Sequence, residues 1–592
     1  MSEKAENLAV REACSFTSFM SALRTSETGQ GLVLAVVVGV ISALGAVAFR
    51  WLISSFQFLF FSGGNQILSF LGHYYVVVIP AAGGLLVGPL VYFFAREAKG
   101  HGVPEVMEAV ALRGGRIRPR VAVVKALASS LCIGSGGSVG REGPIVQIGS
   151  AIGSAIGQWL KLPDETVKTL VACGAAGGIS ATFNAPIAGV LFALEVILGT
   201  VVTRKFAYVV ISSVVSDFLS QAFLGNKRAF MVPQFGITSG WEFVFYVALG
   251  IFAALVAVTF IRVLYRSEDL FNSLKIPEYV KPALGGLFVG VAGLYNHHLF
   301  GVGYEGITKA LSGQMALDLL LALCLLKIAA TSVTIGSGGS GGVFAPSLFV
   351  GAMLGTALGT AVNVLFPAVT APAGAYGIVG MAAVFAGAAR APFSAILIIF
   401  EMTGNYSIIL PVMTSVVIST LLTRALMRET IYTLKLKRRG VDIEQGELAD
   451  VMRTITVGEA MMRDFPVVPS TMRMGEFLEL FQNTAHHGFP VVDSEGLLAG
   501  IVTYSDVQRF LGREDENLTV GDIATKSPFV VYPDQSLDRV LKAAEGEYGR
   551  IPVVSREDGR RLVGVLRRHD IISAYRSRVR KSAAGGSVSA GY

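Results

Sequence analysis

Apolar positions dominate the first 440 residues, and they fall into two kinds of run. Residues 31–49 (GLVLAVVVGVISALGAVAF) and 74–95 (YYVVVIPAAGGLLVGPLVYFFA) carry no charge. Each is long enough to cross about 30 Å of hydrocarbon as a helix. The runs near 121–133, 145–160, 168–198, 206–224, 242–261, 283–295, 316–335, 345–367, 376–400 and 407–426 are mostly shorter or broken by Gly and Pro. That pattern predicts a polytopic α-helical membrane protein with interrupted helices, not a plain ladder of spans. Near residue 440 the pattern changes. From there to about 578 the chain is charged, has no membrane-length run, and alternates short strand-like and helix-like stretches, which predicts an α/β region.

Both regions repeat internally. IGSGGSVGREGPIVQIGSAIGSAIG (133–157) aligns without gaps on IGSGGSGGVFAPSLFVGAMLGTALG (335–359), with 12 of 25 positions identical at an offset of 202. NAPIAGVLFALEV (184–196) matches RAPFSAILIIFEM (390–402) at an offset of 206. Long-range self-similarity in a membrane chain points to a two-repeat transport fold, with its binding site where interrupted helices of the two halves meet. In the polar region VGEAM (457–461), FPVV (489–492) and GIVTYSD (500–506) recur as VGDIA (520–524), IPVV (551–554) and GVLRRHD (564–570). These offsets of 63, 62 and 64 mark a tandem pair of modules of roughly 60 residues. The predicted organisation is therefore an N-terminal segment 1–28, a membrane domain 29–434 with repeats about 30–225 and 240–434, a linker 435–450, modules 451–512 and 513–578, and a disordered tail 579–592.

Composition sharpens this picture. Hydrophobic residues make up 52% and charged residues 15% of 592, with mean hydropathy +0.60, which excludes an ordinary soluble globular chain. The first 28 residues are mixed in charge with no cleavage pattern, so no signal peptide is expected. The net charge of +7 points only weakly to nucleic acid, because the basic run KLKRRG (435–440) follows the last apolar segment. The positive-inside rule places such a run, and the modules after it, in the cytoplasm. Cys14, Cys132, Cys173 and Cys324 lie far apart and read as inert thiols, with no disulfide or metal spacing.

The repeated glycine segments carry the chemistry. Glycine-rich turns entering helices converge backbone N–H groups, and each helix N-terminus adds about half a positive charge. Such a site binds an anion without a fixed cation, and so lets it leave again. A close-packing role for small residues is the alternative. A cation path needs clustered carboxylates, whereas Glu142, Glu195 and Glu401 are spread along the chain. A cation carrier of the magnesium-transporter kind is disfavoured on this ground. No nucleophile–base constellation appears, so an enzyme is not expected. His486 and His487 adjoin, but neighbours on a strand point opposite ways, so no metal site is expected there.

GREGP (140–144), GVFAP (342–346), GHGVP (100–104) and ETIYTLKLKRRG (429–440) resemble, in order, the signature motifs of the CLC family of chloride channels and chloride/proton exchangers. The polar modules resemble a CBS domain pair. The resemblance implies an inverted two-repeat fold, a homodimer with one path per subunit, and a gate at Glu142 whose carboxylate competes with chloride. The resemblance also implies that Gly140, Arg141 and Gly143, around that gate, are among the residues that bind the anion. The resemblance further implies a central anion site from the N–H groups of Val343 and Phe344 and the hydroxyl of Tyr432, with His101 and Gly102 contributing from GHGVP. A helix cap at Glu142 and an interfacial role for Tyr432 are the bland alternatives.

Two positions depart from the family pattern. His101 stands where a serine is usual; its imidazole either donates to the anion or points away. In LFALEVI, Glu195 is kept but Val196 replaces the second glutamate that relays protons in exchangers. Valine carries no proton, which favours a passive channel. Glu195 is then either a substitute proton path or a structural mate of Glu401. In the CBS pair, GIVTYSD supplies Thr503 and Asp506 for the ribose of an adenine nucleotide, while the second module keeps Asp570 but has Arg567 for the threonine. A purely structural pair is the alternative.

Overall fold

The computed structural model describes residues 27–67, 69–200, 206–226, 230, 233–441, 452, 454–484, 488–510, 518–543 and 549–584. Cys14, His486 and His487 lie outside the described residues, as do most of the N-terminal segment and the end of the tail. The chain divides into two compact units, one ending at Val441 and one beginning at Asp442.

Among the described residues of the first unit, eight principal helices are followed by eight counterparts, besides a single turn at Gly64–Ile67. The first set is α1 (Glu27–Gln57), α2 (Tyr75–Phe94), α3 (Val103–Leu112), α4 (Arg120–Gly134), α5 (Glu142–Trp159), α6 (Asp164–Phe183), α7 (Pro186–Phe192) and α8 (Phe206–Leu224). The second set is α9 (Glu242–Ser273), α10 (Lys281–Tyr295), α11 (Tyr304–Leu311), α12 (Leu317–Gly336), α13 (Phe344–Leu365), α14 (Ala373–Ala389), α15 (Pro392–Thr403) and α16 (Ile409–Leu426). A last helix, α17 (Thr433–Arg438), follows. Seven helices among the described residues are long and apolar enough to cross a membrane. The others include α5 and α6, of 18 and 20 residues, and several shorter pieces, α3, α7 and α11 above all, that place backbone termini inside the bundle.

Small residues set the packing. A Cβ on Gly149 of α5 would stand 2.0 Å from the carbonyl oxygen of Gly174 on α6, and one on Gly174 would stand 1.9 Å from that of Gly149. The second repeat does the same with Gly351 and Gly380, at 2.3 Å each way. Backbones at this distance gain dispersion contacts that lipid cannot replace. Helices α6 and α14 both end on a left-handed residue, Asn184 (φ 57°) and Arg390 (φ 52°). An Ala-Pro then starts the next helix with proline in its first turn. The Arg390 guanidinium offsets its strained backbone by donating to the carbonyls of Met427 and Arg428.

The expected linker begins too early. Residues 433–441 belong to the membrane unit, because Lys435 is buried and ion-paired with Glu105 at 2.7 Å. Arg438 pairs with Asp269, and Arg439 with Glu105. The basic run is thus held in place by acids of α3 and α9.

In the second unit, β1 (Val468–Pro469), β2 (Gly488–Val492), β3 (Leu498–Thr503) and β4 (Thr525–Lys526) form one sheet. β5 (Arg550–Val554) and β6 (Leu562–Arg567) form another. The β2–β3 and β5–β6 hairpins are antiparallel, each with a register shift at its second valine pair, Val491/Val492 and Val553/Val554. The repeat boundaries do not coincide with the cores. Val457 and Ala460 pack with Val531, Leu537, Ile551 and Leu566 of the second module. Val520 and Ile523 pack with Val468, Phe489 and Val502 of the first. Each leading segment is exchanged, so 451–512 and 513–578 are sequence units and not separate cores. The last helix also extends the ordered chain, running Arg568–Ala584 into the segment expected to be disordered. Its Ala, Arg and Lys are good helix formers.

Candidate functional site

The glycine loops of the two repeats meet. Gly140 N–H donates to the Gly342 carbonyl at 2.8 Å and Gly342 N–H to the Gly140 carbonyl at 2.6 Å, which joins GREGP to GVFAP. The GHGVP loop joins the same array, since Gly100 N–H donates to the Gly339 carbonyl (3.0 Å) and Gly341 N–H to that of Gly100 (3.2 Å). The Gly140 N–H is therefore spent on the loop pair. This corrects its expected role as an anion donor: a Cβ there would stand 2.1 Å from Glu142 Oε2, so Gly140 contributes space. Gly143 likewise lets chains approach, as its Cβ would meet the His101 carbonyl at 2.2 Å.

Buried lysines brace the two short helices. Lys125 on α4 donates to the carbonyls of Ala98 (3.0 Å) and Gly100 (2.7 Å) ahead of α3. Lys327, its counterpart on α12, donates to those of Leu299 (3.0 Å) and Gly301 (2.9 Å) ahead of α11. Each loop then turns through a left-handed glycine, Gly102 (φ 84°) or Gly303 (φ 81°), that a side chain would strain. The helices that follow begin at Val103 and Tyr304.

Glu142 is buried at the start of α5, and its carboxylate reaches the opposite repeat. Oε2 accepts from the Ala345 N–H at 3.3 Å, in the first turn of α13, and Oε1 accepts from the Tyr304 hydroxyl at 3.0 Å. A negative group thus rests on the positive end of α13. Val343 and Phe344 occupy the N-cap and first position of that helix. The Phe344 ring packs 4.4 Å from Phe385 and 5.5 Å from Phe183, centroid to centroid. Arg141 lies with its guanidinium 5.2 Å from the centre of the Tyr304 ring. Tyr304 was not anticipated from the sequence, because it lies in none of the signature motifs; Ala345 belongs to GVFAP but was not singled out beside Val343 and Phe344.

His101 and Tyr432 come together, both about 2% exposed, with ring centres 5.9 Å apart. His101 Nδ1 is buried without a hydrogen-bond partner among the described residues. An N–H at that nitrogen could donate to an acceptor brought beside it. Gly102 lies beside Gln147, whose Oε1 is also unpartnered.

Glu195 is placed elsewhere. Its oxygens accept from the N–H groups of Phe393 (3.2 Å) and Ser394 (2.8 Å) and from the Ser394 hydroxyl (2.6 Å), at the start of α15. Glu401 does the reverse, accepting from Ile187 (3.1 Å) and Ala188 (2.7 Å) at the start of α7. These are reciprocal caps between the repeats, and Val196 beside Glu195 is buried.

In the polar unit, Asp506 accepts from the N–H (2.9 Å) and hydroxyl (2.6 Å) of Thr503 through Oδ2. Asp570 instead is held by the Arg567 guanidinium through both oxygens, each at 2.8 Å.

Paired glycine loops, helix N-termini aimed at one point and a carboxylate lying there define an anion-transporting membrane protein of the two-repeat class. The model of the voltage gated chloride channel family matches residues 83–424, and the CBS domain model matches 457–513 and 520–577. The chain belongs to this CLC family. It is 34% identical over 420 residues to a ClcB-like chloride channel protein of Ralstonia nicotianae, covering 69% of this chain and 97% of the relative. It is 30% identical over 531 residues to chloride channel protein CLC-e of Arabidopsis thaliana, covering 78% and 74%. Among solved structures it resembles a slow cyanobacterial Cl−/H+ antiporter (TM-score 0.64, 28% identity, 69% of this chain and 97% of the other). It also shares the fold of a eukaryotic CLC transporter (TM-score 0.60, 24% identity, 91% and 97%).

Proposed function

We propose that this chain is a gated passive chloride channel in which the Glu142 carboxylate and the permeant anion compete for one site. The observation that carries the reading is the contact of Glu142 with the Ala345 amide at the N-terminus of α13. A halide at the same point would accept the same donors. Displacement by chloride, or protonation, frees the carboxylate and opens the path. Passive flow is supported by Val196, which holds no proton, and by Glu195, whose two oxygens are committed to α15.

A chloride/proton antiporter is the second reading, favoured by the likeness to the cyanobacterial Cl−/H+ antiporter. Reconstituted protein separates the two. A channel reverses at the chloride equilibrium potential and ignores an imposed pH gradient; uphill proton movement driven by chloride excludes it. The family also supports a homodimer in a plasma membrane, surrounded by lipid, with the CBS pair in the cytoplasm. Asp506 with Thr503 is the proposed adenine-nucleotide contact, and Asp570 is closed to one by Arg567.

A further inference from the structure

A cavity of about 460 Å³ lies beside α3 and is lined by Glu97, Glu105, Glu108, Gln147 and Arg439 among others. Arg439 belongs to the basic run, so the positive-inside rule puts this cavity on the cytoplasmic face. Three of its side chains bring acceptors without donors. Glu97 Oε2, Glu105 Oε2 and Gln147 Oε1 are buried with no hydrogen-bond partner among the described residues. Lys435 at 2.7 Å and Arg439 at 3.2 Å both take Oε1 of Glu105 and leave its Oε2. Acceptors of this kind are met by water, and the volume holds many waters.

The cavity comes close to the pair formed by His101 and Tyr432. A Cβ on Gly102 would stand 2.7 Å from Gln147 Oε1, so the carboxamide lies against the turn that carries His101. Nδ1 of His101 is likewise without a partner among the described residues. Beyond it stands Tyr432, with ring centres 5.9 Å apart, near enough to Glu142 for their charges to interact. The side chains thus run in order from the cavity to the gate: Glu105 and Gln147, His101, Tyr432, Glu142. Val196 supplies no alternative carrier.

The charged groups facing His101 are Glu105 on α3, Lys125 on α4, Lys435 on α17 and Arg439 just after it. Three cations against one carboxylate make a lasting imidazolium costly. That suits a group that takes a proton only to pass it on. A neutral imidazole offers one bare nitrogen and one N–H for the purpose.

We propose that His101 relays protons from the cytoplasmic cavity to Glu142, and so lets the pH of the inner face open the gate. The bare ring nitrogen takes a proton from a hydronium in the cavity, which leaves water. The other nitrogen releases its own proton toward Tyr432, and the Glu142 carboxylate binds it and becomes the neutral acid. No electron moves. One proton opens the path for many anions, so flow stays passive. The relay rests on the reading of Glu142 as the gate.

Inside-out patches containing the full-length protein test this, with pH set separately on each face and the opening rate read from chloride current. Wild-type opening should speed up as inner-face pH falls. His101→Gln keeps an N–H but carries no proton, and should cut the inner-face effect by about a hundredfold, the low end for a positioned proton carrier. His101→Ser should do the same, although its hydroxyl still donates to an anion. Gln147→Leu, outside the anion site, should cut it by a smaller factor. The response to outer-face pH should persist in all three, because that route does not pass His101. An inner-face response intact in His101→Gln or His101→Ser overturns the proposal, as does a wild type indifferent to inner-face pH. Glu142→Gln separates the two readings. A pH response that survives there puts the gate at fault, whereas a flat Glu142→Gln beside an unaltered His101→Gln puts the relay alone at fault.

Discussion

Three glutamates reach across the repeat interface to a helix N-terminus, yet they are held very differently. Glu195 takes two amides and a hydroxyl of α15, and Glu401 takes two amides of α7. Glu142 takes one amide of α13, at 3.3 Å, and one tyrosine hydroxyl. All three use the same attraction of a carboxylate for a helix's positive end. What separates a clamp from a gate is the number and quality of donors. Each clamp holds two amides of one helix, the shorter bond at 2.7 or 2.8 Å, whereas on the proposed reading the one 3.3 Å amide bond of Glu142 leaves a carboxylate that a halide can replace.

The largest test of that contrast is Glu142→Gln. A charge-assisted hydrogen bond is worth about 1.5–3 kcal/mol, so neutralising the gate should raise the open fraction by roughly ten- to a hundredfold. Wild-type flux should rise as pH falls and the carboxylate is neutralised, whereas Glu142→Gln should be flat with pH in the same efflux assay. An unchanged pH response would falsify the gate assignment. Glu195→Ala and Glu401→Ala should act on the fold instead. Each leaves a helix start without its cap, with an expected loss of about 1–3 kcal/mol seen as a lower Tm in detergent. The pH response of the flux that survives should remain that of the wild type. Abolished proton movement in Glu195→Gln, were any present in the wild type, would instead make Glu195 the proton path.

The anchoring features of this arrangement were legible because they repeat. GREGP and GVFAP announce themselves by their 202-residue offset, and Glu195 and Glu401 by theirs of 206. The direction of their reach was not legible, since an offset relates two segments without saying which helix each side chain meets. Tyr304 was missed for a similar reason: it lies 162 residues from Glu142 and only the fold joins them. Lys125 and Lys327 were recoverable, being charges in apolar runs at the glycine-loop offset. In the polar unit, near-identical leading segments such as VGEAM and VGDIA conceal their exchange. Either could pack in either core, and only three-dimensional pairing decides.

A smaller effect is expected from Tyr304→Phe. It removes one neutral donor from Glu142 and leaves the Ala345 amide in place. At about 0.5–1.5 kcal/mol for such a bond, the open fraction should rise by roughly two- to tenfold, and the pH response should persist because the carboxylate remains. A flat pH profile in Tyr304→Phe would mean that the tyrosine, not the amide, holds the gate, and the clamp-and-gate contrast would need redrawing around side chains.

The smallest effect lies in the CBS pair, where the same question of committed against releasable carboxylates recurs. Among the described residues Asp506 accepts from Thr503 through one oxygen, whereas Asp570 has both oxygens on Arg567. The guanidinium fork matches a carboxylate in two places and leaves little for a ribose hydroxyl to gain. Arg567→Thr restores the G-h-h-T-x-x-D pattern and should turn a single nucleotide contact into two, read as a doubled stoichiometry by calorimetry with ATP on the full-length protein. Asp506→Ala should remove the original one. Stoichiometry unmoved by Arg567→Thr would show that the ion pair is not what closes the second module, and that the exchanged leading segments decide access instead.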